Sequence, residues 1–153
     1  MKVTRLSAIP ENSLIRNKFG EVDYCDAYQI KKETERNATE ISNEIMKLPN
    51  WALILFKFRN LVVGIFGLKT DKNTPKPDTF FTVIEQNDSE IVMGEVDKHL
   101  DFKVSVMKNN LENTISLTTI VHFNNAWGRI YFFPVKPFHK ILIRALLKRY
   151  LKS

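Results

Sequence analysis

"HFNNAWGRIYFFPVKPFHKILIRALLKRYLKS", residues 122–153, decides the fold, because its two halves carry different patterns. Through Phe133 the residues are aromatic and β-branched, which reads as a strand from Ala126 to Phe133. Asn124-Asn125 suits a tight hairpin before it, since Asn tolerates positive φ. From Pro137 the spacing turns helical, and proline fits a first helical turn, where its missing N–H has no intrahelical partner to lose. The closing helix is therefore expected over 137–152. On it Lys140, Arg144, Lys148 and Lys152 form a basic stripe, while Phe138, Leu142, Ala145 and Leu146 form an apolar arc continued by Ile143, Leu147 and Tyr150. So broad an arc calls for a concave partner, such as a strongly curved antiparallel sheet.

Strands suited to that sheet lie upstream. Runs over 80–85, 90–96, 100–107 and 114–123 are separated by short polar turns, which is the pattern of an antiparallel meander. Leu100, Phe102, Val104 and Val106 alternate with Asp101, Lys103 and Ser105, predicting one dry face and one wet face. In 114–123 the same alternation holds, with Ile120 as the exception. Residues 22–30 read as a first strand. Helical patterns follow over 38–48, with Asn37 or Thr39 as cap, and over 51–67, with Asn50 as cap and Gly67 as stop. In the second of these, Trp51, Leu55, Phe58, Val62 and Ile65 make one apolar stripe, with Arg59 at its edge as a stem lying over the core or as a partner for Asp23 or Asp26. Residues 70–78 read as a loop. Strand, two helices, meander and long closing helix define an α+β fold of the helix-grip, START/Bet v 1-like type, a single domain spanning 1–153 with about 20 leader residues.

Bulk composition is consistent with one domain: 153 residues, 44% hydrophobic and 26% charged. A formal net charge of +6 invites an acidic partner without requiring one. The single Cys25 excludes an intramolecular disulfide, and Arg5, Pro10, Glu11 and Arg16 break up any signal-like apolar run, so a cytoplasmic location is expected. Lys57, Arg59 and Asn60 interrupt the most hydrophobic stretch, which argues against a membrane span. No glycine-rich phosphate loop, Gly-x-Ser-x-Gly elbow or Cys-x-x-Cys pair occurs.

Four blocks carry a family resemblance: "DYCDAY" (23–28), "PNWALILFKFRNLVVGIFGLK" (49–69), "HLDFKVSV" (99–106) and "GRIYFFPVKPFH" (128–139). Together they resemble the bacterial family known as domain of unknown function 2867, which is similar to the START-like (SRPBCC) superfamily. The resemblance implies a fold and a candidate surface, and no assigned catalytic residue.

Candidate residues come from shared faces. Tyr24, Asp26 and Tyr28 alternate onto one side of the first strand, and Arg129 and Tyr131 onto one side of the expected last strand, so both sets can point polar groups into a cavity between sheet and helix. Arg129 with Asp26 is the expected ion pair. His122 joins this set as a candidate general base beside Asp26. His99-x-Asp101 supplies two groups of metal-ligand type but not a full site, which would need a third ligand from His122, His139 or a carboxylate elsewhere; securing the start of the strand or its turn is the reading preferred here. The expected function is non-enzymatic binding of a small apolar or amphipathic ligand, with no cofactor, no metal and no nucleic acid. Two alternatives stand beside it: a cyclase-, isomerase- or hydrolase-like enzyme on the same scaffold, and a protein-interaction domain using Lys140, Arg144 and Lys148. Composition leaves a homodimer open.

Overall fold

The computed structural model describes residues 2–18, 20–47, 50, 81–96 and 99–153. Among these residues six strands form one antiparallel sheet: β1 (Thr4–Arg5), β2 (Tyr24–Lys31), β3 (Thr82–Gln86), β4 (Glu90–Val96), β5 (Leu100–Asn109) and β6 (Thr114–Phe123), in the order β1-β2-β6-β5-β4-β3. A 3-10 turn (Leu14–Asn17) lies between β1 and β2, helix α1 (Ala38–Ile45) follows β2, and helix α2 (Ala126–Lys152) closes the described chain. The architecture is α+β with a long C-terminal helix on an antiparallel sheet. It is compatible with a helix grip. The expected helix over 51–67, with its apolar stripe and Arg59, and the loop over 70–78 lie outside the described residues.

Period-2 patterning sets the inner face. Register pairs Tyr24 with Val121, Asp26 with Thr119 and Tyr28 with Leu117 across β2–β6, and Val104 with Thr119 and Val106 with Leu117 across β5–β6. Those residues share one side of the sheet. Against it α1 buries Ala38, Ile41, Ser42 and Ile45, spaced as one helical face, and α2 buries Ile143, Leu146, Leu147 and Tyr150. Each buried aliphatic side chain of this kind contributes about 1.5–3 kcal/mol. Helix α1 starts where the sequence indicates: Asn37 accepts the Glu40 N–H at 2.9 Å, and Glu40 accepts the Asn37 N–H at 2.9 Å, a reciprocal capping box.

The other face is not wet along the middle strands. Ser105 is buried, and Ile120 packs with Val92 and Ile15 beneath the N-terminal segment, with Ile9, Leu14 and Cys25 around them. Residues before β2 therefore cover part of the outer face, and Ile120, out of phase in the sequence, is in phase with that cover. The Glu90 carboxylate, 2% exposed, fixes the segment in place. It accepts hydrogen bonds from the Ser13 hydroxyl at 2.5 Å, the Leu14 N–H at 2.8 Å and the Ser105 hydroxyl.

The closing element differs most from expectation. Residues 126–133 are the first two turns of α2, not a strand, and Asn124-Asn125 is not a hairpin: Asn125, with extended φ of −159°, accepts the Gly128 N–H at 3.1 Å as the helix N-cap. Gly128 lies against the His99 carbonyl, where a β-carbon would overlap backbone, so the first turn can approach the start of β5 closely. Pro137 does not begin the helix; Pro134 and Pro137 both lie inside it. Each removes one intrahelical donor, leaving the carbonyls of Ile130 and Phe133. Both of those residues are exposed, so water can satisfy the freed carbonyls and the helix continues.

Candidate functional site

Asp26 stands on the inner face of β2 at 3% exposure, opposite the middle of α2. The Tyr24 hydroxyl, two residues away on the same face, donates to its Oδ2 at 2.5 Å. His139 of α2 brings Nε2 within 3.3 Å of that same oxygen, close enough for an ion pair but not aligned as a hydrogen bond. Asp26 Oδ1 is buried without a hydrogen-bond partner among the described residues, and so is Oγ1 of Thr119, its direct cross-strand neighbour. Buried polar atoms are almost always paired, so two adjacent orphans beside an imidazole form the most conspicuous polar cluster on the inner face.

An apolar wall surrounds the cluster. Phe132 packs on Tyr24 at 4.9 Å between ring centroids and on Phe123 at 5.7 Å, with Leu100 and Val121 completing the patch. The Lys136 ammonium sits 5.1 Å from the Tyr24 ring centroid. Burial, reinforced by the hydrogen bond to Asp26 and by its charge, raises the Tyr24 pKa far above the ordinary phenol value. Burial and Asp26 also raise Tyr28, and the Cys25 thiol on the opposite face shifts upward for the same two reasons. A groove of about 380 Å³ runs along the edge of β2 where β1 ends, bordered by Arg5, Leu6, Ser7, Ala8, Cys25, Asp26 and Ala27. A second opening of about 500 Å³ lies between residues 6–12 and the outer face at Gln29, Met107 and Ser116.

Of the residues singled out in the sequence, Tyr24, Asp26 and Tyr28 are brought together on the inner face, and His122, Arg129 and Tyr131 do not join them as expected. His122 projects to the outer side, where its Nδ1 lies 3.1 Å from Asp23 Oδ2. Arg129 and Tyr131 are two apart on a helix, so they point to different sides rather than sharing a face. Arg129 is exposed over the Phe123 ring at 5.6 Å, and Asp26 faces His139 in its place. Tyr131 packs at the edge of the apolar patch. His139 was visible in the sequence only as one histidine of three; its use follows from α2 reaching β2, which periodicity in 126–133 concealed.

His99 and Asp101 secure the junction into α2. The His99 ring faces the Asn125 amide at 3.1–3.2 Å, and Asn124 donates to Asp101 at 3.0 Å. Among the described residues no three His, Cys, Asp or Glu side chains gather as a metal-ligand set. Lys140 is half-buried, and Arg144 and Lys148 are exposed along α2.

The class is thus an α+β fold in which an antiparallel sheet and a long C-terminal helix enclose a carboxylate with one oxygen unpartnered among the described residues. A family model matches residues 18–146, and the chain belongs to that family, described as protein of unknown function (DUF2867). No curated protein and no solved structure matches it. Among the described residues no helix is long and apolar enough to cross a membrane.

Proposed function

We propose that this chain is a single START/SRPBCC-like helix-grip domain of bacterial, cytoplasmic type that binds a small amphipathic ligand without transforming it. The observation that carries the reading is the pair of buried orphan atoms, Asp26 Oδ1 and Thr119 Oγ1, next to His139 Nε2. A carboxylate placed in an apolar wall with an unused acceptor carries a desolvation cost that a ligand's hydrogen-bond donor would offset. Tyr24 holds the other carboxylate oxygen, Tyr28 and Phe132 supply apolar surface, and a groove lies at the β2 edge beside Asp26.

Native mass spectrometry on freshly purified protein, followed by denaturation and identification of released mass, tests this. The expected result is a reproducible small amphipathic species that disappears in Asp26→Asn and in Thr119→Val while both variants remain folded by circular dichroism. Retention of the same species in both variants would overturn the assignment. A second reading rests on the Asp26–His139 approach, since an imidazole oriented by a carboxylate is a general-base arrangement. On that reading His139→Gln abolishes turnover of the released species but not its binding; equal binding and no turnover in the parent protein rejects it.

A further inference from the structure

Helix α2 buries one face along most of its length and exposes apolar residues opposite it over 127–141. The buried face runs through Gly128, Phe132, Ile143, Leu146, Leu147 and Tyr150. Directly opposite at helical spacing, Trp127, Ile130, Phe133 and Ile141 are 49%, 50%, 83% and 58% exposed, with Pro134 and Pro137 between them. An apolar stripe about 20 Å long on the solvent side of a helix is not accounted for by the core.

Charge identifies what such a stripe would meet. Arg129, Lys136, Lys140 and Arg144 follow one flank of it, and Lys148 and Lys152 continue its line toward the C-terminus. From residue 113 to 153 the chain contains no Asp or Glu. Two copies packed stripe to stripe would bring these cations together with no acidic side chain from either helix to oppose them. Nucleic acid would match the cations but gains little from exposed isoleucine. An anionic bilayer surface satisfies both features: apolar side chains enter the headgroup–acyl boundary, and the flanking ammonium and guanidinium groups meet lipid phosphates.

We propose that the outer face of α2 is a docking surface for anionic membranes, the protein lying on the bilayer without spanning it. Lys136, over the Tyr24 ring, and Arg129, over the Phe123 ring, border the patch beside Asp26, and neither is substituted in the test below, which keeps it separate from the ligand reading. The two can fail separately.

The test is co-sedimentation of the full chain with phosphatidylcholine vesicles, with and without phosphatidylglycerol, at low and high salt. Binding is expected only with the anionic lipid and is expected to weaken as salt screens the charges. Lys140→Gln, Arg144→Gln and Lys148→Gln together should reduce the partition coefficient roughly a hundredfold. Phe133→Ser with Ile141→Ser, both solvent-facing, should reduce it at least tenfold with an unchanged melting temperature. In a Trp51→Phe background, Trp127 emission should shift to the blue on binding and be quenched by brominated lipid. The proposal is overturned by absence of binding at low salt, or by binding indifferent to Phe133 and Ile141. It is equally overturned by a stable homodimer that Phe133→Ser dissolves, or by Trp127 already shielded from aqueous quenchers before lipid is added.

Discussion

Glu90 and Asp26 are both carboxylates on the central sheet, 2% and 3% exposed, yet the structure treats them oppositely. Glu90, on the outer face, uses both oxygens: Ser13 and Ser105 hydroxyls meet Oε1 and the Leu14 N–H meets Oε2. Asp26, on the inner face, accepts one aligned hydrogen bond, from Tyr24, and leaves Oδ1 unused among the described residues. Equal burial with unequal satisfaction separates a carboxylate that holds structure together from the one on which the ligand proposal rests. The first joins an N-terminal segment to the sheet. The second sits where sheet and helix meet.

The largest expected effect lies on the Glu90 side. Glu90→Ala leaves two hydroxyls and one backbone N–H without their acceptor and should cost about 3–5 kcal/mol in urea unfolding. Next comes the isosteric pair that tests the contrast directly. Glu90→Gln puts an amide donor among groups that already donate and should cost about 1–3 kcal/mol. Asp26→Asn gives the orphan position a donor toward Thr119 or His139 and should change stability by less than about 1 kcal/mol, in either direction. Equal losses from the two substitutions would erase the distinction between the carboxylates.

Tyr24→Phe should cost about 1–2 kcal/mol, because it removes the aligned donor to Asp26. Should it cost nothing, Tyr24 would not be what supports Asp26 in the free protein. The smallest signal at neutral pH is the alkaline limb. Tyr24, Tyr28 and Cys25 all have raised pKa values in the folded chain, so above their ordinary values the unfolded chain releases protons that the folded one keeps. Their contribution is complete below about pH 7.5, begins to fall as the unfolded thiol and then the unfolded phenols ionise, and is lost as pH rises through the raised folded values. Ultraviolet titration should show Tyr24 ionising after exposed tyrosine, and Asp26→Asn should bring it back toward normal. An unaltered Tyr24 titration in that variant would leave burial alone as the cause.

Legibility in the sequence varied with the reach of the interactions involved. The bounds of β4 and β6 and a helix cap at Asn37 or Thr39 could be read off, since alternation and capping depend on neighbours a few residues apart; the choice of Asn37 and its reciprocal bond with Glu40 came from the structure. The start of α2 could not. "AWGRIYFF" has strand composition, and two prolines downstream suggest that no helix crosses them. What reverses that reading is contact: Gly128 against the His99 carbonyl, Phe132 against Tyr24, and solvent on the side where the proline-freed carbonyls lie. Alternation puts Ser105 on a wet face, and it is buried because its cover comes from residues some ninety positions earlier, through Ile15 and the Ser13–Glu90 bond.

By itself, then, the sequence determined the α+β class, most of the meander, the charge of the tail and the shared face of Tyr24, Asp26 and Tyr28, all consequences of local period and composition. Only tertiary structure decided that His139 rather than Arg129 meets Asp26, that His122 lies on the far side of the sheet, and that, among the described residues, one carboxylate has both oxygens partnered and the other does not. Those outcomes depend on where a 27-residue helix crosses a sheet, and a crossing point is fixed by packing among residues distant in sequence, which no local pattern encodes.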